Sequence, residues 1–235
     1  VTGKKRERGI GTRITRWILA AFLLFLVFSS AQVIALRFVN PPLVPALSRL
    51  LTGTNAETRR GHGEVWRKLK NISPEIRKAV LASEDQRFLW HRGFDVVEIS
   101  HAVQDMVRKG RRRGASTITM QVARTVFLWP ARTWSRKIAE IYYTFLLETF
   151  LSKQRILELY LNMVDWGVGV RGVEAASRKY FNTSSSKLSA SQAALLAAIL
   201  PSPHKWSVKR PNSYVRWRQK RILRDMNRMP LVGAP

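Results

Sequence analysis

Residues 73–88 read SPEIRKAVLASEDQRF, and the fold follows from how this stretch opens and how it closes. Ser73 followed by Pro74 is a helix N-cap with proline at the first helical position, where the ring's fixed φ suits the helix and its missing N–H leaves nothing unpaired. Ile76, Val80 and Leu81 then share one face. The stretch closes on Glu84 and Asp85, where the partial negative charge of a helix C-terminus disfavours carboxylates. Acids held there are either a solvated pair in a turn or a base that its surroundings make more effective.

Moving toward the C-terminus, helix signals repeat. Asp95, with Glu98 three residues on, forms an acidic variant of a capping box and opens a helix running toward Gly110. Ser135 is expected to cap a helix through Leu151, and Ser152 another through Met163. Ser189 with Gln192 forms a capping box for a helix that Pro201 stops. The period-two alternation of strands is almost absent, so residues 73–235 are expected to form one mainly α domain without internal repeats.

Moving toward the N-terminus, residues 37–72 hold Pro41, Pro42, a polar 52–58 segment, Gly61 and Gly63, and read as a loosely structured stalk. Residues 17–36 carry no charge, and at about 1.5 Å per residue they span roughly 30 Å, the thickness of a hydrocarbon core. Before them stand Lys4, Lys5, Arg6, Arg8, Arg13 and Arg16 against the single acid Glu7; after them the nearest basic residue is Arg37. The positive-inside rule therefore predicts a cytoplasmic segment 1–16, a transmembrane anchor 17–36 and an exported remainder. A cleaved signal peptide, with Ser29, Ser30 and Ala31 near the cut, is the competing reading and exports the same remainder.

Composition narrows the partners. A chain of 235 residues with 46% hydrophobic content suffices for one sizeable core plus an appendage, and a second catalytic domain is not expected. The absence of cysteine excludes disulfides, thiolate metal sites and cysteine nucleophiles, and the four histidines show no metal-ligand spacing. A net charge of +26 calls for a polyanion. Export argues against nucleic acid and favours anionic lipid head groups and lipid-linked phosphates.

Two further clusters carry candidate chemistry. GASTITMQVARTVFL, residues 114–128, follows Arg111, Arg112 and Arg113, and small hydroxyl residues after a basic run suit either a phosphate-gripping loop or an ordinary N-cap. In SRKIAE, residues 135–140, Arg136, Lys137 and Glu140 share one helix face, as an anion site or as a surface salt-bridge ladder would require. The apolar remainder, Ile138, Ile141, Tyr142, Phe145 and Leu146, implies that most of this helix is buried, which favours a site.

Together these residues resemble the monofunctional members of glycosyltransferase family 51, the peptidoglycan glycosyltransferases. EDQRFLWHRGFD (84–95), GASTITMQVAR (114–124), RKIAE (136–140), RILELYLN (155–162) and GVEAASRKYF (172–181) are similar to the family's five motifs, in order. The run DWGVGVRGVEAA (165–176) looks like the stand-alone members rather than the bifunctional penicillin-binding proteins. The resemblance implies a lysozyme-like, mainly α glycosyltransferase domain with a small lobe that dips into the membrane. It implies polymerisation of lipid II onto a nascent glycan strand, with inversion to a β-1,4 linkage and release of undecaprenyl diphosphate, on the outer side of the bacterial cytoplasmic membrane.

By motif position, Glu84 matches the general base and Asp85 joins the substrate-binding set. Arg124, Arg136 and Lys137 are expected to receive the diphosphate, Ser116, Thr117 and Gln121 to bind phosphate or sugar oxygens, and Glu140 to orient the cations or a diphosphate-bound metal. No cofactor or protein metal site is expected, although Mg2+ at the diphosphate is compatible with the pattern. Anionic lipids and cell-wall synthesis or division proteins are the implied partners, and nucleic acid is not. Met120 stands where many members have glutamine and Arg124 where many have lysine, which leaves the diphosphate geometry open. A lysozyme-like cleaving enzyme and an inactive envelope scaffold are the rival readings. Two S-x-x-K strings, at residues 184–187 and 202–205, lack the SDN and KTG companions of a transpeptidase. The basic tail at residues 205–228, with Trp206, Tyr214 and Trp217, is read as facing anionic lipid or solvent.

Overall fold

A computed structural model describes residues 3–41, 65–110, 114–131 and 133–233. Most of the expected stalk and the run Arg111, Arg112 and Arg113 lie outside them. The chain divides into two units, Val1–Val39 and Asn40–Pro235.

The first unit is one helix, α1 (Gly3–Ala35). It begins well before Trp17, because the basic segment contains no proline and lysine and arginine are good helix formers. Its Gly11–Ala35 portion is long and apolar enough to cross a membrane. Trp17, Ile18, Phe22, Leu24 and Phe28 are all exposed, and a helix apolar around its circumference suits lipid rather than water. The Ser29 hydroxyl donates to the Phe25 carbonyl at 2.7 Å, so this polar group is satisfied within the helix.

Among its described residues, the second unit is helical apart from turns, loops and one short hairpin. Its helices are α2 (Pro74–Glu84), α3 (Val96–Lys109), α4 (Ile118–Phe127), α5 (Trp134–Phe150), α6 (Lys153–Met163), α7 (Val173–Phe181), α8 (Ala190–Ile199) and α9 (Ser213–Met226). Ser73 accepts from the Glu75 N–H, Asp95 from those of Val97 and Glu98, and Ser152 from that of Arg155; Ser189 and Gln192 form the reciprocal capping box. Helix α5 is capped by Thr133 rather than Ser135: Thr133 is extended and accepts from the Arg136 N–H, which leaves Ser135 inside the first turn.

The hairpin pairs β1 (Asp165–Gly167) with β2 (Val170–Arg171), antiparallel. Strands this short leave no alternation to read in the sequence. At Gly172, φ is +81° and a Cβ would lie 2.6 Å from the Asn162 carbonyl oxygen, so glycine alone lets the chain turn into α7 there.

The core is layered around α8, whose sequence ASQAALLAAI is apolar on nearly every side, with Ala193, Ala194, Leu196, Ala197 and Ala198 buried. These small side chains allow close packing against α2 and α9, while α4 packs on α5 and α6. Two sequence expectations change here. The last residues of the expected stalk are fastened: Glu158 accepts from Trp66 Nε1 and the Leu69 N–H, and Asn162 exchanges hydrogen bonds with both backbone groups of Arg67. Helix α5 is not mostly buried: Ile138, Ile141 and Phe145 are 68, 46 and 61% exposed, an apolar stripe opposite the buried Thr144 and Leu147.

Candidate active site

Where α2 ends, a cleft of about 890 Å³ opens between that helix end, the start of α4 and one face of α9. Glu84, Asp85, Ser116, Thr117, Gln121 and Arg124 line it, so six of the nine residues singled out from the sequence converge on one space. Glu84 is the last residue of α2 and half-buried. Gln121 Nε2 donates to its Oε2 at 3.1 Å, and the neighbouring Ser83 Oγ stands 3.1 Å from its Oε1. The orientation of the Gln121 amide is fixed from behind, because its Oε1 accepts from the Tyr160 hydroxyl at 3.4 Å. Burial first, and then the negative charge of Glu84, push the Tyr160 phenol well above its ordinary range, so it stays a donor.

Asp85 and Thr117 face the cleft with their polar atoms already committed. Asp85 Oδ1 accepts from His91 Nε2 at 2.9 Å and Oδ2 from the Ile118 N–H at 3.0 Å. His91 Nδ1 accepts from the Gly93 N–H, which leaves the ring proton on Nε2. Thr117 donates to the Gly93 carbonyl at 2.6 Å and accepts from the Met120 N–H as the cap of α4. Asp85, His91 and Asp95 bring ligand atoms within 4.8 Å of one another. Asp95 caps α3 through Oδ1, while its buried Oδ2 has no hydrogen-bond partner among the described residues and faces Arg87 Nε at 3.3 Å; Asp85 and His91 are already bonded to each other and to backbone N–H groups, so the trio acts in part as a structural latch.

Arg124, on α4, is exposed toward the cleft, whereas Met120, one turn earlier, is only 6% exposed and turned into the core. Met120 therefore does not touch the cleft, and Arg124 does. Arg136, Lys137 and Glu140 form their own cluster on α5 and are not among the cleft-lining residues. The Glu140 carboxylate, 1% exposed, accepts from Arg136 Nη1 at 2.6 Å and from Lys137 Nζ at 2.7 Å, so the cluster carries one net positive charge. Arg136 Nε is buried without a hydrogen-bond partner among the described residues.

Sequence reading missed Ser83, Tyr160 and a whole wall of the cleft. Tyr214, Arg218, Arg221, Ile222 and Asp225 of α9 line it, so the basic tail presents one face to the site rather than only to lipid or solvent. Their spacing at positions 214, 218, 221, 222 and 225 is a single helical face, the signal that marks them. Both S-x-x-K strings prove to be structural turns; Ser184 caps the 3₁₀ turn Ser185–Lys187.

The family model described as Transglycosylase matches residues 52–227. Among curated relatives, a biosynthetic peptidoglycan transglycosylase of Bdellovibrio bacteriovorus is 46% identical over 211 residues, covering 89% of this chain and 84% of the relative. One from Pseudomonas putida is 43% identical over 227 residues, covering 94% and 93%. One from Caulobacter vibrioides is 42% identical over 205 residues, covering 87% of each.

Proposed function

The chain belongs to the transglycosylase family, and from that premise we propose that it is a membrane-anchored peptidoglycan glycosyltransferase that polymerises lipid II. The observation that carries the reading is the half-buried Glu84, with both carboxylate oxygens engaged, in a cleft walled by Arg124, Arg218 and Arg221. Glu84 takes the proton of the acceptor's 4-hydroxyl, and the resulting alkoxide attacks C1 of the growing chain's terminal sugar. The bond from C1 to the undecaprenyl diphosphate breaks on the opposite face, so C1 inverts and a β-1,4 linkage forms.

Negative charge develops on the departing diphosphate, and fixed cations facing it are the expected largest electrostatic contribution. Arg124 supplies one such cation at the cleft, with Gln121 and Ser116 as partners for phosphate or sugar oxygens. Arg136 and Lys137, held by Glu140, supply the others as the lipid-linked end leaves along α5. A Mg2+ on this cluster is poorly matched, because both Glu140 oxygens are already taken by cations. The charge of the diphosphate is therefore met by guanidinium and ammonium groups of the chain itself.

Helix α1 is the membrane anchor in this reading. Lys4, Lys5, Arg6, Arg8, Arg13 and Arg16, in the N-terminal half of this helix, favour the cytoplasmic side for that end, and the second unit then works at the outer face of the cytoplasmic membrane. A cleaving enzyme would share a helical domain and a single acid but would have no diphosphate to hold. Incubating the purified chain with lipid II and separating the products tests the choice: glycan polymer supports synthesis, and hydrolysis of added glycan without polymer overturns it. Glu84→Gln is expected to lower turnover by at least about a hundredfold while lipid II binding persists, and a variant near the wild-type rate removes Glu84 from the mechanism.

A further inference from the structure

Arg218 sits at a junction. Its Nε donates to the Ala198 carbonyl at 3.0 Å, and its Nη2 donates to Ser83 Oγ at 3.0 Å. Ala198 belongs to the last turn of α8, where carbonyls lack partners within the helix and the helix end is partially negative, so a guanidinium is both needed and favoured there. The arginine is thereby anchored by α8 and aims its second N–H across to the last turn of α2.

Ser83 Oγ then has a single proton and two acceptors for it. Glu84 Oε1 and the Ala197 carbonyl oxygen each lie 3.1 Å away. Arg218 has donors only, so its bond to Ser83 fills a lone pair of the hydroxyl and leaves the proton for one of those two oxygens. While Glu84 is ionised, the charge-assisted bond to the carboxylate is the stronger. Once Glu84 holds the proton taken from a substrate hydroxyl, its oxygen is a poorer acceptor, and rotation about one torsion turns the serine proton to the Ala197 carbonyl. The serine oxygen remains bonded to Arg218 throughout.

We propose that Ser83 and Arg218 are a positioning pair for the base, in which Arg218 fixes the serine oxygen and the serine proton alternates between Glu84 and the Ala197 carbonyl as the base gains and loses its proton. No proton is transferred through the pair, and neither residue needs to touch the reacting atoms. Ionised Glu84 accepts the serine proton at Oε1, and protonated Glu84 donates its own Oε1 proton to the remaining lone pair of the serine oxygen, while Gln121 backed by Tyr160 serves Oε2. The proposal rests on the reading of Glu84 as the general base.

The test uses the chain with its apolar helix in detergent with lipid II, comparing Ser83→Ala, Ser83→Thr, Arg218→Met and the double variant Ser83→Ala/Arg218→Met. Ser83→Ala is expected to lower kcat about tenfold, the loss of one hydrogen bond to a charged group, with KM unchanged. Ser83→Thr, which keeps the hydroxyl, should recover most of the rate, and the double variant should be no slower than the slower single one. Ser83→Ala at the wild-type kcat, or a fall appearing in KM alone, overturns the pairing. So do losses that multiply in the double variant. Thermal unfolding of each protein accompanies the rates; if Arg218→Met does not fold, Ser83→Ala against Ser83→Thr decides alone. Glu84→Gln measured alongside separates the two levels: if it is active, the base assignment fails, whereas an inactive Glu84→Gln beside a fully active Ser83→Ala rejects only the pair.

Discussion

Glu140 is nearly inaccessible, yet one carboxylate serves two cations on its own helix. Burying a charge in this way is tolerable only while its partners remain, and removing one member of a buried pair typically costs about 3 kcal/mol. Glu140→Gln leaves Arg136 and Lys137 to repel each other beside a buried neutral amide. It is expected to lower stability by about 3 kcal/mol in denaturant melts and to slow lipid II polymerisation about tenfold or more. A large loss of stability at an undiminished rate per folded molecule would make the cluster a strut rather than part of the site. The i, i+3 and i+4 spacing marks this triad in the sequence, whereas the apolar residues beside it do not account for its burial. Ile138, Ile141 and Phe145 do not bury the helix; Glu140 is covered because it shares the face of Thr144 and Leu147. Spacing reveals which residues share a face, but which face turns inward depends on partners distant in sequence. Ser83 escaped notice for the same reason, since nothing in residues 73–88 shows that Arg218 will arrive beside it.

At the scale of single elements, the caps were the most legible feature, because capping is local chemistry between a side chain and N–H groups two or three residues on. The basic tail was less so: α9 offers arginines on several faces, and only docking against α2 and α8 selects Arg218 and Arg221 for the cleft. Helices α3 and α5 pose the opposite question, because each leaves an apolar row uncovered. On α3, Val96, Ile99, Val103 and Val107 follow helical spacing and are all exposed, and this helix has no buried residue. On α5 the row is Trp134, Ile138, Ile141 and Phe145. These rows are what a lobe lying against lipid requires, and Lys109 and Arg108 at the end of α3 suit anionic head groups. Replacing Val103 and Val107 by glutamate should therefore reduce polymerisation in lipid vesicles about tenfold while leaving the rate in detergent micelles little changed. An equal loss in both settings would indicate that the row supports folding of the helix rather than contact with the bilayer.

For the molecule as a whole, the order of the five motifs was legible, but the work of the last two was not. Their polar residues hold the second unit together instead of lining the cleft: Glu158 and Asn162 fasten residues 66–69, and Glu174 fastens Arg67 and Arg178 together with Ser184 and Ser185. Glu174 accepts from Arg67, Arg178, Ser184 and Ser185, and its clasp joins α7 to chain segments more than a hundred residues apart. Burial pushes its carboxyl upward, but the hydrogen bonds from Arg67 and from the Ser185 hydroxyl and N–H outweigh this and hold it down at about 2. A group depressed in the folded state stabilises the fold above its unfolded value, and that contribution disappears as pH falls from the ordinary carboxylate range toward 2. In a chain of net charge +26, mutual repulsion of the cations works against compactness, so loss of such an internal anion is felt strongly. Glu174→Gln is accordingly expected to be less stable than the wild type by about 2 kcal/mol near neutral pH, and the difference should shrink as pH approaches 2, because the wild type itself then loses the charge. Urea titrations of both proteins between pH 7 and pH 2 measure the difference directly, and a gap constant across that range would mean that the ionisation of Glu174 plays no part in holding the segments together.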